Sequence, residues 1–188
     1  ADQDEHQDER TETDNEGTMR ALLIMLLGGW IVGTLLIAFV ATQNFRTVDR
    51  LLSAPTVEFS RAIAPIAHDE ARSVLRYLVS ELNRLFFNAW GITQLALGAV
   101  IVALALGLRP LDRTVIIIAA TVFVIVIVLL LLNQLLLPLG RSLDFVPRTP
   151  VPLELVRFRR LHLIYTALDM LKLILCVWLL IRSARQTA

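Results

Sequence analysis

Residues 160–180, "RLHLIYTALDMLKLILCVWLL", carry His162, Tyr165, Asp169 and Lys172 inside a run otherwise apolar enough to cross a bilayer. At 100° per residue the four lie within about 80° of arc, so one helix face would hold them and the remainder would suit lipid. Asp169 and Lys172, three residues apart, can neutralise each other as an ion pair on one helix. Each would cost roughly 2.5–3.5 kcal/mol at a helix centre, so a proton or ion path and a ligand site are the functional alternatives. His162 near the helix start could hold a metal or a tetrapyrrole. A bis-histidine haem needs a second histidine on a facing helix, and outside the N-terminal tail only His68 remains. No cofactor is therefore predicted, with haem or another tetrapyrrole on His162 as the weaker alternative.

Catalysis finds little to work with. The chain has no glycine-rich phosphate loop, no H-E-x-x-H and no G-x-S-x-G. An enzyme would have to be assembled from Tyr165, His162 and Asp169, so no enzymatic activity is expected. Cys176 stands alone in an apolar run, which excludes a disulfide framework and a CxxC knuckle.

These side chains need elements to position them. The 188 residues are 56% hydrophobic, and the apolar residues gather into four runs near the roughly 20 residues that cross a bilayer, about 21–42, 85–108, 115–137 and 161–181. None alternates as a barrel strand would, so the expected fold is an all-α membrane protein, a four-transmembrane-helix bundle. A cleaved signal peptide is the rival for the first run, but its apolar stretch is too long for an h-region. Asn88, Thr93 and Gln94 on the second run, and Asn133 and Gln134 on the third, are the other polar groups at membrane depth and the natural partners for the fourth helix. Gln43, Asn44, Arg46, Asp49 and Arg50 form a polar cluster where the first helix exits. Gly29-x-x-x-Gly33 and the four-residue spacing of Ala99, Ala103 and Gly107 suit close helix packing within the chain, with a homodimer through Gly29 and Gly33 as the alternative.

The longest connection, 43–84, contains "HDEARSVLRYLVSELNRLFF", which places Ala71, Val74, Leu75, Leu78, Leu82 and Leu85 on one face. This predicts an amphipathic helix between the first two spans, lying in the interface or running on into the second, with Asp69 as its N-cap and Pro55 and Pro65 before it. The second connection, 138–160, is stiffened by Pro147, Pro150 and Pro152. Eleven arginines in the two long connections against five on the other side place both connections in the cytoplasm and both termini outside. Residues 1–18 are acidic and lack large apolar residues, which predicts disorder, while "MRALLIML" from Met19 reads as a natural start. The domain plan is then a 1–18 tail and a 19–188 membrane domain. Nucleic acid is not implied as a partner; lipids and other membrane-complex subunits are.

The glycine-rich first helix with its exit "FVATQNFR", the phenylalanine-bearing second helix and the "RFRRLHLIYTALD" opening of the last resemble the DUF4149 family, bacterial relatives of the transmembrane protein 205 group. The similarity covers roughly residues 20–182 and is most specific at Phe158 and His162. It implies a four-helix fold in a bacterial inner membrane without a defined biochemical activity. This chain has Tyr165 and Asp169 where the family carries smaller neutral residues. The function expected is that of a non-catalytic accessory or structural subunit of a membrane complex. A small solute, proton or metal-ion transporter using the polar face of the fourth helix is the alternative, and a cofactor-holding subunit the weaker one.

Overall fold

The computed structural model describes residues 2–108, 112–147 and 149–185, with side chains from Asn15 onward. Among these residues every element is helical: α1 (Asp2–Ser53), α2 (Val57–Ile63), α3 (His68–Gly107), α4 (Arg113–Arg141) and α5 (Leu153–Arg185). The four long helices, α1 counted from Asn15, are each long and apolar enough to cross a membrane. Large apolar side chains stand outward along all of them, among them Val32, Leu36 and Phe39 on α1, Ile92 on α3, Ile117 and Leu131 on α4, and Leu163 and Ile174 on α5. In water such surfaces would drive aggregation; in hydrocarbon they are the ordinary outer face of a helix whose backbone groups are satisfied internally. The chain has the make-up of an integral membrane protein.

The helices are longer than the apolar runs. At 40 residues α3 extends about 60 Å, twice the roughly 30 Å of a hydrocarbon core. The stretch 68–84 is therefore the first part of α3 and not a helix of its own. Of its predicted apolar face Ala71 is buried, while Val74, Leu78, Leu82 and Leu85 point outward. Asp69 sits inside the first turn, where a carboxylate complements the helix dipole, and does not cap it. α1 likewise continues to Ser53, leaving only 54–67, with the short α2, between the first two long helices. At the other end, helix geometry runs back through residues 2–18, whose composition favours disorder. Extending an existing helix avoids the cost of nucleation, and carboxylates are favoured near a helix N-terminus.

The chain divides into two compact units, one of Ala1–Thr34, Gly91–Leu130 and Thr166–Ala188, the other of Leu35–Trp90 and Leu131–Tyr165. In the first unit Leu23, Leu27 and Trp30 of α1 are buried together with Ile101 and Ala105 of α3, Val122 and Val126 of α4, and Cys176 and Leu179 of α5. Gly98 permits this closeness: a Cβ there would stand 2.7 Å from the Phe123 ring and 3.4 Å from that of Trp30. Asp112 caps α4 by accepting from the Thr114 and Val115 amides at 3.0 and 3.3 Å, and its other oxygen accepts from Arg182 of α5 at 3.0 Å. In the second unit the Asn44 amide donates to Asn83 at 2.7 Å, and Asn83 donates in turn to the Ala41 carbonyl at 3.2 Å, joining α1 to α3.

Of the small residues expected to pack within the chain, Gly33 is half-buried and Gly107 lies beside Met19, while the others face outward. Gly29, Ala99, Ala103 and Gly107 are exposed, and nothing lies within 4 Å of a Cβ built on Gly29. A Cβ on Gly107 would stand 3.3 Å from the Met19 sulfur and 3.9 Å from its methyl carbon. The close approach occurs one helix face away, at Gly98, because the buried polar pair Trp30 and Gln94 fixes which side of α3 turns inward. Gly98→Ala should thus destabilise the protein by about 1–3 kcal/mol through overpacking against Phe123, whereas Gly29→Ala should change stability by less than about 0.5 kcal/mol. Thermal unfolding of the detergent-solubilised chain measures both.

Candidate functional site

Polar side chains gather in two places, one in each unit. In the first, Lys172 of α5 is 0% exposed. Its ammonium donates to Asp169 Oδ1 at 2.6 Å, to Gln94 Oε1, and to Thr34 Oγ1 at 3.4 Å. An ammonium has three protons, and here each has an acceptor. The Trp30 ring centroid lies 5.9 Å from Nζ, and the indole Nε1 donates to the same Gln94 oxygen at 3.0 Å. Three helices, α1, α3 and α5, thus converge on one cation. The within-helix ion pair anticipated from the i, i+3 spacing forms, and Gln94 is the one predicted partner that joins it. Thr34 and Trp30 were not legible as partners, since both sit in an apolar run that reads as lipid-facing.

The second unit holds a cleft of about 1060 Å³. Its aromatic wall comprises Phe45, Tyr77, Phe87, Phe145, Phe158 and Tyr165, and its aliphatic wall includes Leu136, Leu137, Leu143 and Leu155. His162 stacks on Phe158 at 5.7 Å with 7° between the planes, four residues along α5, and Tyr165 meets Phe87 edge-on at 6.4 Å. Phe145 adopts a left-handed backbone, φ 60°, and its ring packs 5.1 Å from Tyr77. Such a conformation costs on the order of 1–3 kcal/mol for a bulky residue, so the wall it completes is held against strain.

Charges around this cleft are paired with care. Arg84 is gripped by both oxygens of Asp144 at 2.9 Å and also donates to Glu81, which Arg141 reaches at 3.3 Å. Arg72 and Arg76 share the carboxylate of Asp49 at 2.9 and 3.6 Å, and Arg76 lies over the Phe45 ring. Gly140 makes room for Arg84 and Phe158, each 3.5 Å from where its Cβ would be. Asn133 lines the cleft with its Nδ2 buried and without a partner; Trp90 Nε1 is the other such atom among the described residues.

The expected quartet is therefore split. His162 and Tyr165 belong to the cleft of the second unit, Asp169 and Lys172 to the buried network of the first. Asn133 shares the cleft with His162, Asn44 is engaged with Asn83, Asn88 is half-buried, and Gln134 and Arg46 are exposed. The network of Arg84, Glu81, Asp144 and Arg141 escaped the sequence because partners that bond across it are 60 residues apart. His68 opens α3 within 3.7 Å of Asp69, and among the described residues no three histidine, cysteine or acidic side chains converge as a metal site would require.

No family model matches this chain, and neither a curated protein nor a solved structure is significantly similar to it. Function must be judged from the two sites themselves, and the first has a clear energetic signature. Asp169→Leu, leaving the buried ammonium without its carboxylate, should cost about 3–5 kcal/mol, while the double change Asp169→Leu with Lys172→Met should recover most of that loss. A double-mutant cycle of unfolding free energies in detergent tests this.

Proposed function

We propose that this chain is a non-catalytic integral membrane protein that serves as an accessory or structural subunit of a membrane complex. The observation that carries the proposal is the saturation of Lys172: its protons are taken by Asp169, Gln94 and Thr34, so the cation at membrane depth is committed to holding three helices together. A carrier would need that group to change partners. A lock needs it to keep them. The outward apolar faces of four helices offer surfaces for lipid and for a partner's helices alike.

In this proposal the basic connections face the cytoplasm and both termini lie outside, as the positive-inside rule directs. Arg109 and Arg148, which enter that count, lie outside the described residues. A likeness to the DUF4149 family would rest on the quoted motifs alone, and it adds no activity.

The second reading, a small transporter, draws on the cleft, where His162 and Tyr165 from the polar face of α5 line a space large enough for a solute. The two readings separate in one pair of measurements. For the subunit role, a tagged chain solubilised in mild detergent should retain a membrane protein partner in fixed ratio by mass spectrometry. Proton or solute flux into liposomes should be the same for the unaltered chain, His162→Ala and empty vesicles. Recovery of the chain without any partner, together with flux abolished by His162→Ala, would establish the transporter instead.

A further inference from the structure

Outside its cleft the second unit has an open groove of about 670 Å³ between the end of α4 and the start of α5. Leu135, Pro138, Leu139 and Ser142 line it from α4, at the i, i+3, i+4 and i+7 positions of one helix face. Arg157, Arg160 and Leu161 line it from α5, at i, i+3 and i+4. The α4 side is therefore leucine and proline with one hydroxyl, and Leu135 stands outward at 57% exposure.

Charge sets this groove apart from the rest of the unit. Arg72, Arg76, Arg84 and Arg141 all reach a carboxylate. Arg157 and Arg160 are exposed, and among the described residues neither has a hydrogen-bond or ion-pair partner. No carboxylate lines the groove. Two guanidiniums one turn apart on one helix face thus present their donor forks with no counter-charge, and the anion that such forks match is a phosphate.

The level of the groove says which phosphate. Leu135 and Leu161 belong to the apolar runs 115–137 and 161–181, whereas Ser142, Arg157 and Arg160 lie beyond them. One end is apolar and the other cationic, over a rise of about 10 Å on α4 and about 6 Å on α5. That is comparable with the roughly 5–8 Å of headgroup layer on each side of a hydrocarbon core, so one amphiphile standing at the bilayer boundary meets both ends. Fewer than two turns of α5 take part, too short a seam to seat a partner's helix. Basic pockets between helices at the membrane surface are a recurrent way of holding anionic head groups.

We infer that this groove binds one anionic phospholipid of the bilayer. Its phosphate lies between Arg157 and Arg160, and the first part of an acyl chain runs along Leu135, Leu139 and Leu161. This goes beyond the subunit role and stands without it, because it concerns a lipid and not a protein partner.

The test is native mass spectrometry of the delipidated chain in mild detergent, titrated with phosphatidylglycerol, phosphatidylethanolamine, a neutral diacylglycerol and inorganic phosphate. One phosphatidylglycerol should bind per chain at saturation, with phosphatidylethanolamine and diacylglycerol at least about tenfold weaker and inorganic phosphate not retained. The double change Arg157→Gln with Arg160→Gln should bring phosphatidylglycerol down to the affinity of phosphatidylethanolamine. Arg159→Gln removes the same charge from a neighbouring exposed position that does not line the groove, and should alter the affinity less than about twofold. Leu135→Gln should weaken all three lipids alike. These positions are exposed, so the unfolding temperatures of the lipid-free variants should match that of the unaltered chain. Equal affinity for phosphatidylglycerol and phosphatidylethanolamine overturns the inference. So does a loss with Arg159→Gln as large as that of the double variant, which would mean diffuse attraction to basic residues. Retention of inorganic phosphate as strongly as the lipid would make the site one for free phosphate instead. A photo-crosslinking amino acid in place of Leu139 should form a lipid adduct in membranes, and a protein adduct there would overturn the assignment to lipid.

Discussion

A positive charge without water around it organises the first unit. Hydrocarbon offers the Lys172 ammonium nothing, so every interaction that stabilises it must come from neighbouring helices, and each of those helices is thereby fixed in rotation and height. Thr34 places α1, Gln94 places α3, and Asp169 ties the lysine to its own helix. Apolar packing alone discriminates weakly between rotations of a helix in lipid, because one greasy face resembles another. The cation removes that degeneracy. Gly98 follows from it: once Gln94 faces inward, the residue one turn on must lie between Trp30 and Phe123, and only the smallest side chain fits there.

The second unit solves a different problem. Its helices carry most of the arginines, and four of these, Arg72, Arg76, Arg84 and Arg141, are paired with carboxylates, Asp49 on α1, Glu81 on α3 and Asp144 beyond α4. Arg84 meets both oxygens of Asp144 and also Glu81, whereas Arg72 and Arg76 divide the single carboxylate of Asp49 at 2.9 and 3.6 Å. Asn133 and the strained Phe145 belong to the same cleft, where local irregularity is tolerated because the surrounding walls hold it.

What was legible in the sequence follows the range of the interactions. The four spans are encoded locally by runs of apolar residues, and the pair of Asp169 and Lys172 by helical spacing; both appear in the structure. Gln94 and Asn133 drew notice simply by being polar at membrane depth. The places where helices end were hidden, since amphipathic stretches such as 68–84 continue a helix as readily as they begin a new one. The partners of Lys172 on α1 were hidden too, because a tryptophan and a threonine are unremarkable in a membrane helix until a cation is placed beside them. Motif spacing misled at Gly29, Ala99 and Ala103, which face outward. The tightest approach is at Gly98, fitted to two aromatic rings.

The position of Trp30 has a spectroscopic side. Its indole is hydrogen-bonded to the same oxygen that receives the Lys172 proton, and its ring lies within 5.9 Å of the charge. A chromophore so placed feels any rearrangement of the ammonium as a change in local electric field. Of the three tryptophans in the chain it is the one wired to the buried charge, which makes it an internal optical gauge of whether the three helices are still held together.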